Sequence, residues 1–200
     1  MPEFSRDELE RMTELFEQGI ERAETTGDWI KHVGCLYTDD ALYEWNLGPN
    51  IEFRARGRKE IEAYAMGSQM EGLKDWRYPY TDWVIDDKRG EVIGFFRQIA
   101  PAKRDDGTHY ELEGLCGSWF FYGGNYQWRE QRDFFDVGNL KALMFELAGI
   151  GALSPELKRD IHLSARGHKI PGNHRIRRRP SLLERLRGIF AILKIALTGK

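Results

Sequence analysis

The stretch "HYELEGLCGSWFFYGGNYQWREQRDFFD", His109 to Asp136, decides the fold. It holds two runs rich in aromatic and branched residues, and the "GGN" between them suits a tight hairpin loop. If the second run is a regular strand, Gln127, Arg129, Gln131, Asp133 and Phe135 share one face, and Tyr126, Trp128, Glu130, Arg132 and Phe134 share the other. Upstream, "YPYTDWVID" (78–86) and "EVIGFFRQIAP" (91–101) have the same character, set off by "DKRG" and "AKRDDG". Four strand-like runs joined by short loops predict an antiparallel meander. Gly94, Gly114 and Gly117 within them predict bulges or strong bending.

Before the meander the periodicity is helical. Ser5 with Glu8 three residues on has the capping-box spacing, and Leu9, Met12, Leu15, Phe16 and Ile20 follow at helical intervals until Gly27. Asp28 caps a second short helix, "DWIKHVGCLY", which "TDD" ends. "ALYEWNL" reads as a short strand closed by the turn "GPN", and Gly57 to about Met70 as a third helix that buries Ile61, Tyr64 and Ala65. After the meander, "VGNLKALMFELAGIG" and "SPELKRDIHLS" predict two more helices, the second with Ser154 as N-cap and Pro155 at its first position. A basic loop, "ARGHKIPGNHRIRRRP", leads to a last helix from about Ser181. Helices followed by an antiparallel sheet predict an α+β layer whose strongly curved sheet wraps over the N-terminal helices as a cone. The expected division is a domain over residues 1–137, a helical extension over 138–163, and a basic loop with an amphipathic helix over 164–200.

With 200 residues, 41% hydrophobic and 31% charged, the chain has the length and composition of one folded domain with an appendage. Cys35 and Cys116 are far apart and form no CxxC pair, there is no secretory leader pattern, and no 18-residue apolar run occurs; a cytoplasmic protein is expected. His162, His168 and His174 match no zinc spacing, "GIGALS" follows a helix and so is not a dinucleotide loop, and GxSxG, HExxH and phosphate-loop motifs are missing, so neither metal nor cofactor is expected. The charge is uneven. Residues 163–200 hold ten Lys or Arg against Glu184 alone, a net +9, leaving −11 of the overall −2 on residues 1–162. With an acidic body and no reader motif, nucleic acid is not an expected partner.

"GDWIKHVGCLYTDDALYEWNLGPNIEFRARGRKEIEA" (27–63) and the runs from "DWRYPYTDWVID" to "EQRDFFD" resemble the SnoaL-like group of NTF2-like domains, over roughly residues 8–137. The resemblance implies the NTF2-like cone and a superfamily of isomerases, epoxide hydrolases, dehydratases, cyclases and noncatalytic members. The place of the ketosteroid-isomerase base is taken by Trp45, which cannot abstract a proton. "EQRDFFD" is similar to the last-strand motif of limonene-epoxide hydrolases, which implies a water-activating role for Asp133 and a water-holding role for Tyr43. Their Arg-x-Asp partner falls at "GFFRQIA", which supplies Arg97 and Gln98 but no aspartate.

Three residues are therefore candidate catalytic groups: Asp133, Tyr43 and His32, the last because dehydratases of the superfamily transfer protons through histidines. Trp45, Trp83, Phe96, Gln98, Trp119 and Gln131 are candidate ligand contacts. Buried beside Trp45, Trp119 or Phe96, Asp133 would have a raised pKa suited to proton exchange; the alternative is that it only pairs with an arginine such as Arg97. The aromatic content favours an apolar small molecule, of steroid, terpenoid or polyketide type. The function expected is acid–base isomerase, lyase or hydrolase chemistry, or else noncatalytic ligand binding or dimerisation, with a homodimer as the expected assembly. In "SLLERLRGIFAILKIALTGK" the apolar positions 182, 183, 186, 189, 190, 193 and 197 share a helical face that is too short to span a bilayer. Residues 175–197 thus suit an anionic membrane surface, or docking on the protein's own body or a dimer partner.

Overall fold

Ser5 Oγ accepts the Glu8 amide at 3.1 Å and opens α1 (Arg6–Thr26). The computed structural model describes residues 4–48, 50–178 and 180–199; Pro49 of the "GPN" turn and Arg179 and Lys200 of the basic tail lie outside the described residues. The Glu8 carboxylate does not close a capping box. It accepts the Tyr122 hydroxyl at 2.6 Å instead, and Glu17 and Glu24 on the same helix likewise accept Trp83 Nε1 and the Tyr78 amide, each at 2.6 Å. Three α1 carboxylates thus pin the helix to the sheet while Leu9, Met12, Phe16, Ile20 and Ala23 are buried beneath it. Gly27, with φ of 75°, ends the helix in the left-handed conformation that glycine adopts without steric cost.

Asp28 caps α2 (Trp29–His32), and a 3-10 turn, Gly34–Leu36, leads into β1 (Tyr37–Gly48). The strand starts earlier than expected. Thr38, Asp39 and Asp40 belong to β1, because Tyr37 already pairs with Trp128. The next strand, β2 (Ile51–Arg56), was not anticipated, though "IEFRAR" buries Phe53 and Ala55 alternately. The third helix is α3 (Arg58–Glu60), continuing as a wider π-helix over Ile61–Gln69.

Strands β3 (Tyr80–Asp86), β4 (Glu91–Phe96), β7 (Cys116–Tyr122) and β8 (Trp128–Phe135) form the expected meander. The residues between split off a small separate hairpin, β5 (Ile99–Lys103) with β6 (His109–Glu111). The main sheet runs β3-β4-β7-β8-β1-β2-β9, and its centre is parallel: β1 lies alongside β8, so the sheet is mixed where an antiparallel one was expected. Gly94 and Gly117 mark no bulge. They make room for rings: a Cβ on Gly94 would stand 2.5 Å from the Tyr80 ring and closer still to that of Trp83. The register shifts of the meander fall instead between Tyr80 and Asp82 and between Trp128 and Glu130, and the second turns Trp128 to the same buried side as Gln131.

Phe16 of α1 meets Phe120 edge-on at 4.9 Å and Trp128 at 6.3 Å, the centre of the core under the curved sheet. Each such ring fully buried contributes about 1.5–3 kcal/mol. A second cluster joins Trp76, Ala100, Leu112 and Cys116 to Leu143 and Leu147 of α4 (Val137–Gly149), which Asp136 caps. Helix α5 (Pro155–Ala165) begins at Ser154, whose hydroxyl accepts the Leu157 amide and donates to the Gly72 carbonyl. Beyond it, the basic loop contains an unforeseen edge strand, β9 (Asn173–Arg175), paired with β2. The last helix, α6 (Leu182–Thr198), opens with a complete Ser181–Glu184 capping box and buries no residue.

Candidate functional site

Three adjacent central strands place the site. In register, Asp133 of β8 stands opposite Ser118 of β7 and Trp45 of β1, and Gln131 stands opposite Phe120 and Tyr43. Alternation on each strand sends Ser118, Gln131, Asp133, Tyr43 and Trp45 to the concave face. They line a cavity of about 290 Å³ between the sheet, α1, the π-helix, α4 and α5. Its walls are apolar: Phe16, Leu47, Met66, Phe96, Met144 and Leu157 are among them.

At the floor, three donors converge on Asp133. Tyr43 Oη donates to Oδ2 at 2.5 Å; Ser118 Oγ and Gln131 Nε2 donate to Oδ1 at 2.6 and 2.7 Å. The Ser118 hydroxyl has one proton, so Tyr80 Oη, 2.9 Å away, must donate to Ser118. Tyr37 donates to Gln131 Oε1, which orients the amide so that its nitrogen faces Asp133. Arg97, the alternative partner, pairs with Glu111, and no cation among the described residues pairs with the carboxyl.

Burial raises the Asp133 pKa, and the bonds from Ser118, Tyr43 and Gln131 offset only part of that rise. Burial, reinforced by the Asp133 charge, also lifts Tyr37, Tyr43 and Tyr80 well above the ordinary phenol range, so all three remain neutral donors. An ionised carboxylate has about four acceptor sites. Three are filled here, and the one left on Oδ2, beside the Tyr43 hydroxyl, is where a proton can be taken or given. A shallow depression formed by Asn46, Gly48, Val137 and Lys141 also reaches Asp133.

Of the residues singled out in the sequence, Asp133, Tyr43, Trp45, Phe96, Gln98 and Gln131 line the cavity, and Trp83, Trp119 and His32 do not. Trp83 stacks on Tyr80 at 4.5 Å and turns its Nε1 to Glu17 on α1. Trp119 sits between two inward residues, so it faces outward, bonding Glu91 and lying 5.8 Å from the Arg132 guanidinium. His32 ends α2, half-buried, its carbonyl packed against Gly19 of α1.

Ser118, Tyr37 and Tyr80 were missed as site residues. Counting the two runs across "GGN" as a regular hairpin would not have found Ser118: the Tyr122–Trp128 pair continued without a break sets it opposite Arg132, and the extra residue Arg129 shifts the register to Asp133. The cavity holds a second polar patch at Gln98, which is 8% exposed, and Tyr78. Burial lifts Tyr78 well above the ordinary phenol range and nearby Gln98 offsets only part of that rise; the buried Tyr78 hydroxyl has no partner in good hydrogen-bond geometry among the described residues. Among the described residues no group of three or more His, Cys, Asp or Glu could hold a metal ion.

The sequence matches no protein-family model and none of the curated proteins. The fold does match solved structures. Bal32a, from a soil-derived mobile gene cassette, superposes with a TM-score of 0.51 at 23% identity, over 68% of this chain and 98% of its own. A SnoaL-like, polyketide-cyclase-like protein from Jannaschia sp. CCS1 gives 0.51 at 13% identity, over 72% and 94%. An LEH-like epoxide hydrolase from M. tuberculosis gives 0.50 at 19%, over 72% and 95%. The architecture is thus the α+β cone of the SnoaL-like and NTF2-like proteins.

Proposed function

We propose that the protein binds an apolar small molecule in the cavity and moves a proton on it through Asp133, as an isomerase, lyase or hydrolase. The observation that carries this reading is a carboxyl paired with no cation among the described residues, held by three donors at the floor of an apolar cavity. Such a group exchanges a proton nearer neutrality than a solvated aspartate does. Tyr43 and Gln131 hold the carboxyl still, and the hydroxyl of Tyr43 is placed to share a ligand or water oxygen bound at Oδ2. Gln98 and Tyr78 offer a second point for a ligand oxygen, while the walls select carbon skeletons of terpenoid, steroid or polyketide type. An epoxide hydrolase and a polyketide-cyclase-like protein among the structures of like fold are consistent with this chemistry.

A second reading is noncatalytic binding. It is favoured by one observation: among the described residues, Asp133 is the sole carboxylate lining the cavity, and no His, Lys or Arg lines it with Asp133. One experiment separates the two. Thermal-shift screening with steroids, terpenoid epoxides and polyketide fragments finds the ligand class, since a ligand bound to the native state raises Tm. Asp133→Asn is then assayed on the hits. Turnover by the wild type that Asp133→Asn lacks, with the ligand shift retained, supports catalysis. Ligand shifts without any turnover select the binding module, and no shift across the panel rejects both.

A further inference from the structure

Helix α6 is the largest feature that the cavity leaves unused. Residues 181–199 are all exposed, among them Leu182 at 72%, Phe190 at 67% and Leu197 at 84%. No soluble body gains from holding so much apolar surface in water, so the face has an occupant. Projected at about 100° per residue, Leu182, Leu183, Leu186, Ile189, Phe190 and Leu193 fall in one arc. Arg185 borders that arc on one side, Lys194 and Arg187 border it on the other, and Glu184 lies away from it. Long basic side chains at the two borders of an apolar face lie along the surface while their charged ends reach outward, the arrangement of a helix in the plane of a lipid interface.

Charge points the same way. Arg175, Arg177 and Arg178 precede the helix, exposed on its approach. The one acid, Glu184, is occupied: its carboxylate takes Arg178 at 2.6 Å and the Ser181 amide at 2.6 Å in the capping box. No helix among the described residues is long and apolar enough to cross a membrane. The approach is anchored: β9 is bonded into the sheet edge, and the Ile176 amide donates to the Asn50 carbonyl at 3.0 Å. That point is the β1–β2 turn, whose Leu47 lines the cavity. Five residues from Ile176 to Ser181 reach at most about 18 Å, which keeps the start of α6 near that end of the sheet.

We infer that α6, together with the basic approach from Arg175, docks the protein on an anionic phospholipid surface. A second copy of the chain is the rival occupant, since its acidic body would attract the same arginines. It does not explain the basic residues at both borders of the arc. The inference stands whether or not the cavity is catalytic.

The test is co-sedimentation of the full chain with phosphatidylcholine vesicles, with and without about 30% phosphatidylserine. Binding is expected only to the anionic vesicles and is released by about 0.5 M salt. Phe190→Glu and the triple variant Arg185→Gln, Arg187→Gln, Lys194→Gln each weaken it by about tenfold or more. Neither changes the thermal midpoint of the body, because α6 buries nothing against it. Three outcomes overturn the inference: no binding to anionic vesicles, equal binding by Phe190→Glu, or Phe190→Glu turning a dimer into a monomer with no vesicle binding by the wild type.

Discussion

The Tyr43 hydroxyl donates to Asp133 Oδ2 at 2.5 Å across the parallel β1–β8 pair, joining two residues 90 positions apart in the chain. The bond favours the ionised carboxylate, and burial opposes it more strongly. Tyr43→Phe removes one of the three bonds that hold the Asp133 pKa down, so the pKa rises further. A lost bond to a charged group costs about 1.5–3 kcal/mol. Urea denaturation near neutral pH reads the cost; an unchanged midpoint would mean that the bond contributes nothing in solution.

Asp133 also sets a pH dependence. Its folded pKa lies above the ordinary 3.8, so the folded state holds a proton that the unfolded state has released. The stabilisation this gives is complete below 3.8 and is lost as pH rises through the folded value. Glu24, also raised by burial, acts with the same sign. The stability of wild type relative to Asp133→Asn isolates Asp133, and that difference falls as pH rises from about 3 to 8. A difference that grows with pH over this window contradicts the raised pKa.

Gly94 and Gly107 should respond differently to alanine. At Gly94 a Cβ would intrude on the stacked Tyr80 and Trp83 rings, and overpacking of this kind costs about 1–3 kcal/mol. Gly107 has φ of +85° but nothing within 4 Å, so Gly107→Ala costs only the backbone strain, about 1 kcal/mol. Chemical denaturation of the two variants side by side checks the order; equal losses would mean that the rings move aside freely.

The two thiols should also differ. Cys35 is exposed, whereas Cys116 is buried in the second cluster, and burial followed by the charges of Asp133 and Asp136 pushes its pKa up to about 11. Native protein treated with iodoacetamide should be alkylated at Cys35 and spared at Cys116 until it is unfolded. Peptide mass spectrometry reads this, and rapid native labelling of Cys116 would show that the cluster opens.

The meander and the first helix were legible because short-range alternation and turn chemistry govern them; the inward turn of Asp133 was implied by the family resemblance, since the bulge at Arg129 interrupts the regular alternation of β8. The parallel β1–β8 pairing was not. It joins segments about half the chain apart, and no local pattern specifies which edge a strand will meet. Strand β2 was passed over because Glu52, Arg54 and Arg56 outweigh its two buried residues in any count of apolar content. Trp83 and Trp119 were expected in the pocket on aromatic character alone. Register decides their direction, and it sends Trp119 to the outer face and Trp83 to the Glu17 side of the core. Asp133 was singled out in the sequence and lines the cavity; its lack of a cation among the described residues depends on long-range packing, and the Ser118 bond to it on the one-residue bulge that sets the hairpin register.

The most direct test of the central claim is a carbon-detected NMR titration of the Asp133 carboxyl, assigned by its absence in Asp133→Asn. A midpoint clearly above the ordinary 3.8 is predicted, moving higher in Tyr43→Phe. A midpoint at or below 3.8 would contradict the account, because a carboxylate held ionised by its donors would have no proton to exchange with a ligand near neutrality.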